Sequence, residues 1–154
     1  MDELISEIEG LMTGYWLTDL ANFSALIYHR LPDLNWAGFY LFDGKTLRLG
    51  PFSGKPACTE IAPTRGVCGA AFSKTEIMIV DDVHSFEGHI ACDPDSRSEM
   101  VIPFKVENNL IGVLDIDSPV VSRFTSQDAS LLSAGLVILA RRNPKLKSFP
   151  TLSP

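Results

Sequence analysis

Cysteine is the residue type in this chain best suited to nucleophilic chemistry, and all three copies stand in glycine-bearing segments: Cys58 in SGKPAC, Cys68 in RGVCGA and Cys92 in GHIACDPDSRSE. None lies in a long apolar periodic stretch, where inert cysteines usually sit. Cys92 has the most polar setting, between a glycine turn and a run of Asp, Ser, Arg and Glu. A thiol attacks as its thiolate, so an ordinary pKa of about 8.5 must be lowered by a neighbouring cation or dipole. His84, His89 and Arg97 are the candidates nearest in sequence. Taken singly, each histidine is more often structural or surface, and each cysteine more often a small buried hydrophobe. Together, one reactive thiol and available partners suggest a redox cycle. A zinc site is disfavoured, because no pair of these cysteines has the short C-x-x-C separation of structural sites.

The second group with chemical potential is acidic. Strand alternation puts Asp115 and Asp117 on one face, together with Ile111 and Val113, where an apolar partner would be expected. Burial and mutual repulsion raise carboxylate pKa values. With Glu99, such a cluster would bind a cation while keeping one member protonated as a general acid. The competing reading, of equal weight, places both aspartates past the strand end in solvent. Alternation also sets Trp36, Gly38 and Tyr40 on one face, which suggests two aromatic walls around a slot for a small apolar group. For a lone strand the plainer reading is favoured: core aromatics, with Gly38 permitting close packing.

The elements that must position these groups follow from periodicity. Leu4, Ile5, Ile8 and Leu11, then Leu17, Leu20, Ala21, Ser24, Ile27 and Leu31, predict two N-terminal helices. NWAGFYLF, the turn Asp43-Gly44-Lys45 and TLRLG predict a β-hairpin. ACTEIA reads as a strand, RGVCGAAFSK as a short helix and EIMIV as another strand ending at Asp81 and Asp82. A long loop with Cys92 follows, then EMVIPFKV and LIGVLDID as a second hairpin around Glu107-Asn108-Asn109. Thr125, three residues ahead of Asp128, predicts a capped helix carrying Leu131, Leu132, Leu136 and Leu139. Residues 143–154 are expected to form a loose tail. The order suits an α+β domain spanning 1–154, an antiparallel sheet with helices packed against it.

Composition narrows the partners. The chain has 154 residues, 45% of them hydrophobic and 21% charged, with a net charge of -6. No Lys and Arg stripe is present, so the attraction that dominates nucleic-acid binding is missing. No segment approaches the ~18 apolar residues of a membrane span. MDELISEIEG does not read as a secretory signal, and a cytoplasmic location is the default expectation.

Six separated motifs then occur in one order: NWAGFYL, GPFSGKPAC, TRGVCG, DVHSFEGHIACD, SEMVIP and IGVLDIDS. From about Asn22 to Phe124 the chain resembles the free methionine-(R)-sulfoxide reductases, enzymes built on a GAF domain. The resemblance implies a central antiparallel sheet flanked by helices. It implies Cys92 as the nucleophile and Cys58 as the resolving thiol. Cys68 would take part in further disulfide exchange and is the rival for the nucleophile's role. The substrate pocket would comprise Trp36, Tyr40, Glu99, Asp115 and Asp117. The implied substrate is free methionine sulfoxide, the implied reductant a thioredoxin-like dithiol protein, and no metal or organic cofactor is required. A homodimer is left open. The sequence departs from the commoner pattern at Pro56, Thr64 and Arg97, none of which removes a catalytic group. Two other readings stay in play: a regulatory GAF module binding a cyclic nucleotide or other small ligand, and a thiol redox sensor without turnover. The acidic cluster weighs against a phosphate ligand.

Overall fold

The structure, a computed structural model, describes residues 2–89 and 92–152. Six strands form one antiparallel sheet: β1 (Trp36–Phe42), β2 (Leu47–Gly54), β3 (Glu60–Ile61), β4 (Met78–Val80), β5 (Ser98–Val106) and β6 (Asn109–Ser118). Their order across the sheet is β3-β2-β1-β6-β5-β4. The helices are α1 (Asp2–Leu11), α2 (Trp16–Arg30), α3 (Gly66–Lys74) and α4 (Ser126–Arg142). This is the expected α+β arrangement. None of the described helices is long and apolar enough to cross a membrane.

Both hairpins form as their turn residues demand. Asp43 Oδ1 accepts from the backbone N–H of Lys45 and Thr46 at 2.9 and 2.8 Å, an Asx turn. Glu107 and Asn108 adopt φ of 50° and 69° between the paired residues Val106 and Asn109, the twist that a two-residue hairpin requires. Thr125 caps α4 by a reciprocal bond with Asp128. The strand expected over ACTEIA shortens to Glu60–Ile61; Ala57 and Cys58, ahead of it, lie outside any strand.

The sheet buries two different faces. One carries α1, α2 and α4 over a large core that includes Phe23, Phe39, Phe104, Leu114, Ile116 and Leu132. In α2 the buried stripe is Leu20, Phe23, Ser24 and Ile27, whereas Leu17 is 57% exposed, so the first expected position faces solvent. Gly135 of α4 lies where an added Cβ would stand 2.9 Å from Ile8 Cδ1 and 3.2 Å from Phe23; its missing side chain lets three helices converge. The other face carries α3 over a smaller cluster of Trp36, Tyr40, Leu47, Ile61, Val67, Val101 and Val113.

The C-terminal segment corrects the expectation of a loose tail as far as Leu152; residues 153 and 154 of that expectation lie outside the described residues. Pro144–Ser148 forms a short 3-10 turn with Leu146 fully buried, and Phe149 meets Trp16 edge-on at 6.1 Å. Helical periodicity ends at Leu139, but Pro144 reaims the chain so that apolar residues at a different spacing return to the core.

One buried charge ties this segment to the N-terminus. Asp19 accepts from Thr13 N, Thr13 Oγ1, Gly14 N and Asn143 Nδ2 at 2.8, 2.6, 2.9 and 2.9 Å. Burial alone would raise its pKa, but the bonds from Thr13, Asn143 and Gly14 outweigh that and hold it below the usual aspartate value. A depressed carboxylate stabilises the fold fully above its unfolded value, about 3.9, and loses that contribution as pH falls through the folded value. Asp19→Asn is expected to destabilise the protein at pH 7 by about 2 kcal/mol, since an amide nitrogen faces donors. Denaturant titrations at pH 7 and about pH 3 check this: the gap between variant and wild type should narrow in acid, and an unchanged gap would exclude the charge as its cause.

Candidate active site

The site is built on the α3 side of the sheet, where β5, β6 and β1 lie side by side. Glu99 pairs with Asp117, Val101 with Asp115, Gly38 with Asp115 and Trp36 with Asp117. Paired residues project to the same face, so the three carboxyl groups converge. Asp115 is 6% and Glu99 7% exposed, and Asp117 is half-buried. The aspartates therefore do not lie past the strand end. Their face is not shared by Ile111, however. The ladder passes from Phe104–Gly112 to Lys105–Leu110, and this bulge turns Ile111 into the opposite core.

Three acids in an apolar floor change one another. Burial pushes Glu99 well above the ordinary carboxylate range, and the charges of Asp115 and Asp117 add to it. Burial and then repulsion from Asp115 do the same for Asp117. Asp115 is also raised by burial, but hydrogen bonding with Glu99, Cys68 and Asp117 opposes the rise. The three carboxyls thus titrate as one interacting group, displaced above the ordinary carboxylate range by burial. The Oδ1 atoms of Asp115 and Asp117 are buried without a hydrogen-bond partner.

Cys68, in the first turn of α3, is buried and free. Its Sγ and one oxygen each of Glu99 and Asp115 lie within 4.8 Å of one another. Burial and the surrounding carboxyls push its pKa well up, so it is a protonated thiol and a poor nucleophile there. Cys58 and Cys92 are joined by a disulfide with a Cα–Cα separation of 5.5 Å. Cys92 lines a pocket with Trp36, Tyr40, Cys68 and the three acids.

The two aromatic residues do not enclose an empty slot. An added Cβ at Gly38 would stand 2.3 Å from Phe52 Cβ and 2.9 Å from the Trp36 ring, so Gly38 serves close packing. Trp36 stacks on Phe52 and Tyr40 at 5.2 and 5.9 Å. The polar tips act on the neighbouring loop. Trp36 Nε1–H donates to the Lys55 carbonyl at 3.0 Å and Tyr40 O–H to the Cys58 carbonyl at 2.9 Å. They hold the Cys58 segment against the sheet. Asn35 Nδ2–H does the same for the Cys92 loop, donating to Asp93 Oδ2 and Ser96 Oγ at 3.2 and 3.1 Å.

Of the three cations nearest Cys92 in sequence, His89 lines the pocket, whereas His84 and Arg97 are exposed. His89 Nε2 lies 3.9 Å from Glu99 Oε1. Burial, then the neighbouring His84, hold it below the ordinary histidine value. Arg65, at the start of α3, also lines the pocket, together with Asp93 and Ser96. These last three do not stand out in the sequence, because nothing in their local spacing distinguishes them from surface loop residues.

Known proteins share this arrangement of chain. The GAF domain family matches residues 19–140. The free methionine-R-sulfoxide reductase of Escherichia coli K12 is 54% identical over 128 residues, 82% of this chain and 78% of that protein. That of Saccharomyces cerevisiae is 44% identical over 127 residues, 76% of this chain and 71% of that protein. The solved structure of the free methionine-R-sulfoxide reductase from Neisseria meningitidis in complex with its substrate superposes with a TM-score of 0.89 at 38% identity, covering 95% of this chain and 89% of that one. With likenesses of this extent in both sequence and fold, the chain belongs to the GAF-domain family and, within it, to the free methionine-R-sulfoxide reductases.

Proposed function

We propose that this protein reduces free methionine (R)-sulfoxide to methionine by thiol chemistry at Cys92. The observation that carries the reading is one pocket lined by Cys92, bonded to Cys58, and by three convergent acids, two of them buried and one half-buried. The names of its relatives support the same substrate.

The Cys92 thiolate attacks the sulfoxide sulfur while a protonated carboxyl, Glu99 or Asp117, donates to the departing oxygen. The hydroxyl so formed is then transferred to Cys92 Sγ as the new sulfur–sulfur bond breaks, so that the sulfoxide sulfur gains two electrons and leaves as the thioether while Cys92 loses two and becomes a sulfenic acid. The Cys58 thiol displaces that hydroxyl as water, giving the disulfide, which an external dithiol protein of thioredoxin type returns to two thiols. His89, an imidazole held neutral in the pocket wall, is the available acceptor for the Cys92 proton. Asp115, buried beside Glu99 with its Oδ1 unpartnered, takes the substrate's α-ammonium, and Arg65 at the α3 N-terminus is the cation for its α-carboxylate.

The two cysteines should separate kinetically. Cys92→Ser is expected to form no methionine. Cys58→Ser is expected to release about one equivalent per chain without reductant, because the sulfenic acid forms before resolution is needed. Single-turnover quantitation of methionine checks both, and full activity in Cys92→Ser would overturn the assignment. Glu99→Gln should slow the reaction at least ~10-fold if its proton is used, equivalent to ~1.4 kcal/mol.

Selectivity follows from charge. An N-acetylated or peptide-bound sulfoxide presents a neutral amide to acids that would then be buried without a cation, at considerable cost. Free methionine (R)-sulfoxide should be turned over and the N-acetylated form should not, in matched assays with one reductant. Equal rates would refute the pocket as drawn.

A further inference from the structure

Reduction of a sulfoxide does not account for how Cys68 is placed. It is the cysteine outside the disulfide, it lies against acids rather than cations, and it is held as a thiol. Its Sγ and one oxygen each of Glu99 and Asp115 lie within 4.8 Å of one another, with all three side chains buried. One thiolate and two carboxylates form a donor set for a borderline divalent ion. Zn²⁺ takes such ligands at about 2.0–2.3 Å, in sites that complete a tetrahedron with a fourth ligand. A modest contraction of the three atoms would close around it.

A second observation points the same way. Asp115 Oδ1 is buried with no donor, on a residue only 6% exposed, and Asp117 Oδ1 beside it is unpartnered too. Buried acceptors of this kind call for an ion or a water. A dication would satisfy them and cancel the repulsion among the acids. Asp117, half-buried, keeps the site in touch with solvent.

We propose that Cys68, Glu99 and Asp115 form a Zn²⁺ site with an open fourth position, and that zinc held there excludes methionine sulfoxide from the pocket. Binding replaces the Cys68 thiol proton with the metal and releases that proton to solvent. The site is present in the disulfide form, so oxidised protein would retain zinc. Metal binding stands independently of the proposed reaction, whereas the exclusion of substrate rests on it.

The disulfide form is the cleanest subject, since Cys58 and Cys92 cannot then ligate. Calorimetric titration with Zn²⁺ is expected to show one ion per chain, and titration with Co²⁺ the near-ultraviolet band of a cobalt thiolate. Cys68→Ser should abolish the band and weaken Zn²⁺ binding more than ~10-fold, and Glu99→Gln should weaken it while keeping the band. Circular dichroism checks that both variants fold. Absence of stoichiometric binding, or a band that survives Cys68→Ser, would overturn the site. For exclusion, the Cys92→Ser protein is titrated with methionine sulfoxide with and without Zn²⁺. A loss of affinity with zinc is expected. Unchanged affinity at saturating zinc would overturn the exclusion. Failure of the sulfoxide to bind even without metal would count against the functional reading and leave the metal site standing on its own titrations.

Discussion

Three carboxyl groups share an apolar floor at the centre of the sheet, and most of the pocket's properties follow from keeping them there. Water does not shield them and their charges oppose one another, so the pKa values of Glu99 and Asp117 are pushed well above that of an exposed acid. The same field keeps Cys68 protonated. It also gives the pocket a sign: a cation entering it relieves repulsion, and an anion would add to it. The alignment that causes this is a matter of register, since Glu99 stands opposite Asp117 and Asp115 opposite both Val101 and Gly38. A one-residue slip in the β5–β6 pairing would break this convergence, setting acids of one strand opposite residues that face the helical core.

Above that floor Cys58 and Cys92 ride on irregular backbone, which has few ladder bonds to fix it. Fixation comes instead from polar atoms of the rigid sheet reaching upward. Trp36 and Tyr40 each bury an aromatic body and direct their single donor to the Cys58 segment, while Asn35 reaches the Cys92 loop. Lys55 and Asp95 also link the two loops at 2.9 Å, but both are exposed, and such pairs contribute little. The loops are thereby tethered at their flanks and lack regular structure at the two cysteines that the disulfide joins.

The opposite face of the sheet works on ordinary terms, with α1, α2 and α4 covering a continuous apolar core. Its buried charge, Asp19, is satisfied by four donors and joins the α1–α2 turn to the end of α4. The two faces thus use buried acids differently. A buried acid with donors is a structural clasp, whereas buried acids lacking them, as Asp115 and Asp117 do at Oδ1, leave room for a ligand.

Much of this was legible in the residue order, because helices, strands and turns are set by short-range physics. Periodicity marked α1, α2 and α4, a glycine turn marked α3, strand-like runs around Asp43-Gly44-Lys45 and Glu107-Asn108-Asn109 marked the two hairpins, and Thr125 with Asp128 marked the start of α4. Cys58, Cys68, Cys92 and the three acids stood out by type and setting. What the sequence could not determine depended on contacts between distant segments. The bulge that sends Ile111 to the other face is a property of two paired strands. The packing of Phe52 into the space at Gly38 depends on where β2 lies, and the docking of Leu146 depends on β5, β6 and α4 being brought together. The choice of His89 over Arg97 and His84, and the presence of Arg65 in the pocket wall, arise where the loop after β4 meets α3. Local sequence specifies what each segment is; which face a side chain finally occupies, and beside which charge, is decided only when the segments close on one another.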